Sequence, residues 1–331
     1  MKITTVQQNL SDLITKGLDQ LDLPMEPVSL YEPVRYSLAV GGKRIRPMLT
    51  LLGCGLCGGE PEEALPAALA VELLHNFTLL HDDIMDRAET RRGQPSVNVK
   101  WNDSTAILSG DVMFARASKE LNFYGQSDKF TKNQYARINE IFLDAVETVC
   151  EGQAYDLEFE SEETVSLEDY LKMIEFKTAA LLRASLQMGG IVAGAPSEQL
   201  DLLYAIGTKS GIAFQIQDDL LDVVGDPDKF GKRVGGDIAE GKKTYLSILA
   251  LKKGSDTQRQ YMQNILRKKD VVDDEIQAVI QQYEALNVIE ETRKAASWHY
   301  DHAIEALGGF SGSEYKEEIS RLLNSLMKRE H

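Results

Sequence analysis

Apolar residues recur at three- and four-residue intervals along almost the whole chain, while alternating β-branched runs closed by hairpin turns are scarce. That periodicity admits an all-α fold and little else. It predicts helices over 5–20, 28–38, 44–57, 62–86, 96–101, 104–122, 133–155, 167–192, 198–225, 242–253, 256–267, 271–305 and 313–329. Turn chemistry separates them at Gly41 and Gly42, Gly58 to Pro61, Arg92 to Pro95, Gly194 to Pro196, and between Gly225 and Gly241. No low-complexity segment or charge block divides the chain, so residues 1–331 read as one helical domain.

A net charge of −16 argues against nucleic acid as a partner, because phosphate backbones are bound by clustered Lys and Arg. The first twenty residues lack the apolar core of a secretory signal, which sets a cytoplasmic expectation. The most apolar stretch, 64–80, contains Glu72 and His75 and runs straight into acids. It reads as a buried helix, and no membrane anchor is expected. Cys54 and Cys57 have C-x-x-C spacing, but zinc would need further ligands and a redox motif a strand-turn-helix setting. Small-residue packing inside a helix is the better reading.

Two acidic segments stand out, HDDIMD at 81–86 and QDDLLD at 217–222. On an ideal helix Asp82, Asp83 and Asp86 fall within an arc of about 100°, and Asp218, Asp219 and Asp222 repeat the pattern. Both trios sit in apolar runs, so neither is simply a solvated face. Two such charges about 4 Å apart repel by roughly 4 kcal/mol at an effective dielectric near 20. Divalent cations offset that cost. Hard oxygen donors in mid-helix suit Mg²⁺, which takes one or two carboxylates and completes its shell with water and substrate phosphate. A diphosphate substrate is implied.

Basic motifs flank the first trio. GGKRIRP at 41–47 sets Lys43, Arg44 and Arg46 between a glycine pair and a helix start, where free N–H groups also favour anions. Arg91, Arg92 and Gly93 follow Asp86 closely and offer fork-shaped donors to a phosphate already held by cations. His75 lies nearly on the line of Asp82, almost two turns back, and reads equally well as a cavity-facing or a core histidine. Lys177 with Thr178, Lys232, and Lys242 with Lys243 are later candidates, each weak alone.

In this order the motifs resemble those of the trans-isoprenyl diphosphate synthase (polyprenyl synthetase) family: GGKRIRP, HDDIMD with RRG, GQAYDLEF at 152–159, Lys177-Thr178, FQIQDDLLDVVGD at 214–226, and GKRVGGDIAEGKKT at 231–244. The resemblance covers about residues 5–325. It implies a homodimeric bundle of mostly antiparallel helices around a central cavity, faced by the two aspartate-rich helices. It also implies Asp82, Asp83, Asp86, Asp218 and Asp222 as ligands of about three Mg²⁺ ions, with Asp219 in support and Asp237 acting through water. Arg91, Lys177, Lys232 and Lys242 would hold an allylic diphosphate. Lys43, Arg46, His75 and Arg92 would hold isopentenyl diphosphate, and Thr178 and Gln215 would lie near the reacting carbons.

The implied reaction is head-to-tail condensation after ionisation of the allylic diphosphate, with Asp82 and Asp218 central to it. Product length is implied by Thr78 and Phe77, four and five places before Asp82. The single aromatic, and the absence of an insertion within D-D-x-x-D, resemble synthases of geranylgeranyl diphosphate (C20) over farnesyl or longer products. Phe77 as plain core, with the stop at Leu74 or on another helix, stays open. A class I terpene cyclase would not need the basic motifs of a second diphosphate site. A non-catalytic partner subunit would not need intact acidic trios.

Overall fold

The computed structural model describes residues 4–225 and 234–328. In chain order the helices are α1 (Thr5–Asp19), α2 (Val28–Ala39), α3 (Ile45–Leu56), α4 (Leu65–Met85), α5 (Val97–Lys100), α6 (Asp103–Gln126), α7 (Lys132–Ser161), α8 (Leu167–Ile174), α9 (Ala180–Val192) and α10 (Ser197–Val224). They continue with α11 (Gly236–Ala239), α12 (Tyr245–Lys253), α13 (Asp256–Leu266), α14 (Asp273–Ala285), α15 (Val288–Gly308) and α16 (Glu314–Lys328). Among the described residues the one sheet is a two-residue hairpin, Thr90–Arg91 against Gln94–Pro95. The all-α expectation is met.

Local chemistry sets many of the ends. The Thr4 side chain accepts from the Gln7 N–H, Asn102 caps α6 through the Thr105 N–H, and reciprocal capping boxes start α12 at Thr244 with Ser247 and α13 at Ser255 with Gln258. Two expected helices differ from the structure. The run 271–305 is two helices, because Asn287 adopts a left-handed backbone (φ 59°) just past α14, a conformation its short amide tolerates. The run 167–192 is interrupted by a π-turn, Glu175–Ala179, which holds both Lys177 and Thr178. The short α11 was not anticipated, since four residues carry too little periodicity to register.

Contacts group the chain into two compact units, interleaved in sequence. The first runs up to Val146 and includes Leu181–Tyr204 and Phe310–Ile319. Leu49, Leu51, Leu52, Leu73, Leu74, Met113 and Leu121 form its fully buried interior. Helix α3 approaches α9 through glycines: a Cβ on Gly189 would stand 2.0 Å from the Thr50 carbonyl oxygen, and one on Gly53 2.6 Å from that of Leu186. This near-contact of backbones anchors the helix whose first turn carries Arg46.

The second unit comprises Glu147–Ala180, Ala205–Gly309 and the chain from Ser320. One of its apolar clusters gathers Leu220, Leu246, Val279, Tyr283 and Val288, and another gathers Phe159, Tyr170, Ile216 and Ala296. A glycine again sets a close approach, since a Cβ on Gly152 of α7 would lie 2.2 Å from the Lys177 nitrogen. The bare Gly152 thereby seats the π-turn.

Gly189→Val is expected to destabilise the protein by at least about 2 kcal/mol, because neither backbone at the α3–α9 approach can move away cheaply. Denaturant unfolding with an unchanged midpoint would contradict the close packing.

Candidate active site

In the first unit, GGKRIRP turns through Gly41 (φ 83°) and Gly42 (φ 135°), and Arg44 is itself left-handed (φ 46°) before α3 begins. Arg44 then serves the fold, pairing with the buried carboxylate of Glu72 and donating to the Leu38 carbonyl. Arg46 lies in the first turn of α3 with Nη1 3.1 Å from Nε2 of His75. Its Nε–H is buried with no hydrogen-bond partner among the described residues, an orphaned donor of the kind an anion satisfies. Burial lowers the Arg46 guanidinium to about 10, with Glu72 pulling the other way and Arg92 adding to the fall. Burial, then Arg46 and Arg92, holds His75 well below its usual value. A neutral His75 accepts from Arg46 at Nε2 and keeps a donor at Nδ1.

Arg92 joins this group through the hairpin. Thr90 pairs with Pro95 and Arg91 with Gln94, and the two corner residues, Arg92 (φ 54°) and Gly93 (φ 75°), are both left-handed. That is the corner whose twist matches antiparallel strands. The Arg92 guanidinium lies against Gly42, where a Cβ would come within 2.4 Å of its Cζ. The φ of 135° disfavours a side chain at 42, and the bare glycine lets the guanidinium lie there. Lys43 is exposed on the same turn. Lys43, Arg46, His75 and Arg92 therefore share one region of this unit.

The first acidic trio is unequal. Asp83 is buried and accepts from Nε of Arg91 at 2.8 Å and also from Nη2, while Asp82 is half-buried with Oδ2 3.9 Å from Arg91 and Asp86 is exposed as the C-cap of α4. Burial raises the Asp83 carboxyl above its usual range despite the hydrogen bond from Arg91. Upstream, the Phe77 ring meets the His81 ring edge-on at 4.7 Å and lies 5.9 Å from Phe114. Phe114 stacks in turn on Phe142 at 6.3 Å. Thr78 is tied to its own helix by a hydrogen bond to the His75 carbonyl, and Leu74 is fully buried.

In the second unit Asp219 is the buried member. Its Oδ2 accepts from the Tyr170 hydroxyl and, at 3.1 Å, from the Tyr245 N–H, and its Oδ1 accepts from Gln215 Nε2 at 3.2 Å. Thr178 donates to Gln215 Oε1 at 3.1 Å, so a hydrogen-bond chain runs from the π-turn to the acidic trio. Burial pushes Asp219 up to about 7, with its three donors opposing. Asp222 is half-buried and accepts from the Asp237 N–H at 3.0 Å, whereas Asp218 is exposed. Asp237 is pushed up to about 6 by burial and then by Asp222. Lys177 reaches Asp156 at 2.5 Å, and exposed Lys242 lies 2.7 Å from Glu240 and 3.5 Å from Asp237. Lys232 lies outside the described residues.

Sequence reading gave no role to Glu72, Asp156, Tyr170 or Tyr245. Asp156 does stand inside GQAYDLEF, but Tyr170 is 49 positions from the aspartate it holds and carries no local signal. Among the described residues no group of three or more His, Cys, Asp or Glu is assembled to hold a metal by itself. The donor set nevertheless fits Mg²⁺ shared with a phosphate. In each trio the middle carboxylate is buried and hydrogen-bonded, leaving a less buried pair one turn apart, Asp82 with Asp86 and Asp218 with Asp222. All donors are carboxylate oxygens, the hard kind that this ion takes.

An all-α chain with two such trios, and a basic cluster containing an orphaned arginine donor, has the make-up of an enzyme acting on prenyl diphosphates. Residues 27–283 match the family model described as polyprenyl synthetase, so the chain belongs to that family and is a prenyl-transferring enzyme. A short chain isoprenyl diphosphate synthase of Methanothermobacter thermautotrophicus is 36% identical over 331 residues, covering 100% of both chains. A geranylfarnesyl diphosphate synthase of Aeropyrum pernix is 38% identical, over 88% of this chain and 92% of the other. The crystal structure of geranylgeranyl pyrophosphate synthetase from Pyrococcus horikoshii Ot3 superposes with a TM-score of 0.92 at 35% identity, covering 98% of this chain and 97% of that one.

The raised Asp219 gives a pH signature. A carboxyl that keeps its proton to about 7 when folded, against an ordinary 3.8, adds stability that is lost as pH rises through the folded value. In chelator Asp219→Asn is therefore expected to shift the pH profile of stability, lowering stability at about pH 5 relative to about pH 8 when compared with the unchanged chain. Identical profiles for the two proteins would contradict the buried environment of Asp219.

Proposed function

We propose that this chain condenses isopentenyl diphosphate head-to-tail with an allylic prenyl diphosphate, and that its main product is geranylgeranyl diphosphate (C20). The observation that carries the reading is the cluster of Arg46, His75 and Arg92 by Gly42, whose buried Arg46 Nε–H lacks a partner among the described residues and would serve an anion other than the one held at the carboxylates. Ionising one diphosphate needs only the acidic side. Condensation needs a second diphosphate held by its own cations.

In this reading Asp82, Asp86, Asp218 and Asp222 hold Mg²⁺, about three ions as in the resemblance, with Asp83 and Asp219 fixing the two trios from within. When bound, Mg²⁺ supplies electrostatic stabilisation to the departing pyrophosphate. Arg91, Lys177 and Lys242, with Lys232 from the resemblance, take its remaining oxygens. The allylic C1–O bond breaks and leaves a carbocation. Thr178 spends its proton on Gln215, which leaves its oxygen lone pairs to face positive charge. The isopentenyl double bond attacks C1, and the proton lost afterwards passes to the pyrophosphate, giving a trans product five carbons longer.

Phe77 supports a C20 product, because its half-buried ring tops the Phe114–Phe142 stack and so has aromatic backing against which a growing chain would stop. The relative named for geranylfarnesyl diphosphate is the reason to test length directly. With labelled isopentenyl diphosphate, Asp82→Ala and Asp218→Ala are each expected to lose at least about a hundredfold in turnover while keeping helical content. Phe77→Ala is expected to shift the product beyond C20. Undiminished turnover in either aspartate variant would remove the metal role, and an unchanged product would move the stop away from Phe77.

A homodimer completes the reading. Exposed Leu108 and Phe123, about 60° apart around α6, and exposed Leu143 on α7 give the first unit apolar side chains suited to a second copy. Leu108→Glu is expected to shift the mass seen by light scattering towards a single chain. A wild-type protein already of single-chain mass would contradict the dimer. A cytoplasmic location fits the free thiols of Cys54, Cys57 and Cys150, which a reducing compartment maintains.

A further inference from the structure

The second unit contains a cavity of about 560 Å³ lined by none of the acidic-trio residues. It opens between the chain entering α8 and the facing sides of α12 and α13. Leu167, Ile248 and Leu266 give it an apolar floor, and Lys243, Lys252 and Arg267 bring positive charge to it. The volume lies in the range of small-molecule sites, roughly 300–1,000 Å³.

The cations are not consumed by the fold. Lys243 is half-buried, yet makes no hydrogen bond or ion pair among the described residues. Burial lowers its proton affinity and Arg267 lowers it further, with Glu160 and Glu162 opposing. Arg267 reaches only Glu163, at 2.5 Å, in a pair whose side chains are 55% and 72% exposed. Such a pair is worth about 1 kcal/mol or less and yields readily to a better anion. Lys252 is exposed with no ion pair among the described residues. Two neighbouring cations above an aliphatic floor lose Coulomb and solvation energy together, and an anion with an apolar body repairs both.

We propose that this cavity binds an anionic amphiphile, its apolar chain lying on Leu167, Ile248 and Leu266 and its phosphate or carboxylate head among Lys243, Lys252 and Arg267. The cavity shares no lining residue with the carboxylate trios or the Arg46 cluster, and the inference stands whether or not condensation occurs.

Calorimetric titration of the full chain in chelator, with farnesyl monophosphate and with decanoate, tests this while metal-dependent binding is suppressed. At least one probe is expected to bind, and Arg267→Glu and Lys252→Glu are each expected to weaken it by about tenfold. Leu266→Arg, with its helical content checked, should do the same by filling the floor. Arg46→Ala is expected to leave this binding within about twofold. Tighter binding of farnesyl monophosphate assigns a phosphate head, and tighter binding of decanoate a carboxylate head, each in support of the cavity. No binding of either probe at millimolar concentration overturns the proposal. So does binding lost in Arg46→Ala but kept in Arg267→Glu.

Discussion

Three carboxylates on one face of one helix cannot all stay charged and unpaired, and this chain meets that constraint twice, in two different ways. In the first unit Asp83 is buried against the Arg91 guanidinium, so the trio is relieved by a fixed cation. In the second, Asp219 is buried under Tyr170, the Tyr245 N–H and Gln215, and is relieved by retaining a proton up to about 7. Each solution offsets the middle charge and leaves a less buried pair one turn apart, the pair proposed above to hold Mg²⁺. The long apolar flanks of α4 and α10 are what hold the buried member in place.

The basic side depends on what glycine allows. Gly42 takes a positive φ that side chains rarely adopt and leaves space where the Arg92 guanidinium lies, and the left-handed Arg92 and Gly93 form the corner of its hairpin. Gly53 and Gly189 seat the helix that delivers Arg46. Burial then works against these cations, lowering both Arg46 and Arg92, and keeps His75 neutral. In the proposed function, a diphosphate bound there would offset that cost.

The all-α class and most helix positions were legible because a 3.6-residue period is a local signal that survives without tertiary context. The π-turn at Glu175–Ala179 was not, since its residues have helical composition and the close approach of Gly152 from α7 is a contact distant in sequence. Acidic and basic motifs were also local, and so were found. The role of Asp83 was not: it read as a ligand like Asp82 and Asp86, and only burial joins it to Arg91. Tyr170 and Glu72 act across the fold on residues far away in sequence, and no pattern around them announces it.

The central claim is that ionisation on the acidic side is coupled to a second diphosphate on the basic side. Pyrophosphate release and isopentenyl diphosphate consumption, followed together in one reaction with Mg²⁺ and an allylic primer, measure that coupling directly. The account predicts one pyrophosphate for each isopentenyl unit consumed. Pyrophosphate released from the allylic diphosphate with no isopentenyl diphosphate consumed would contradict it.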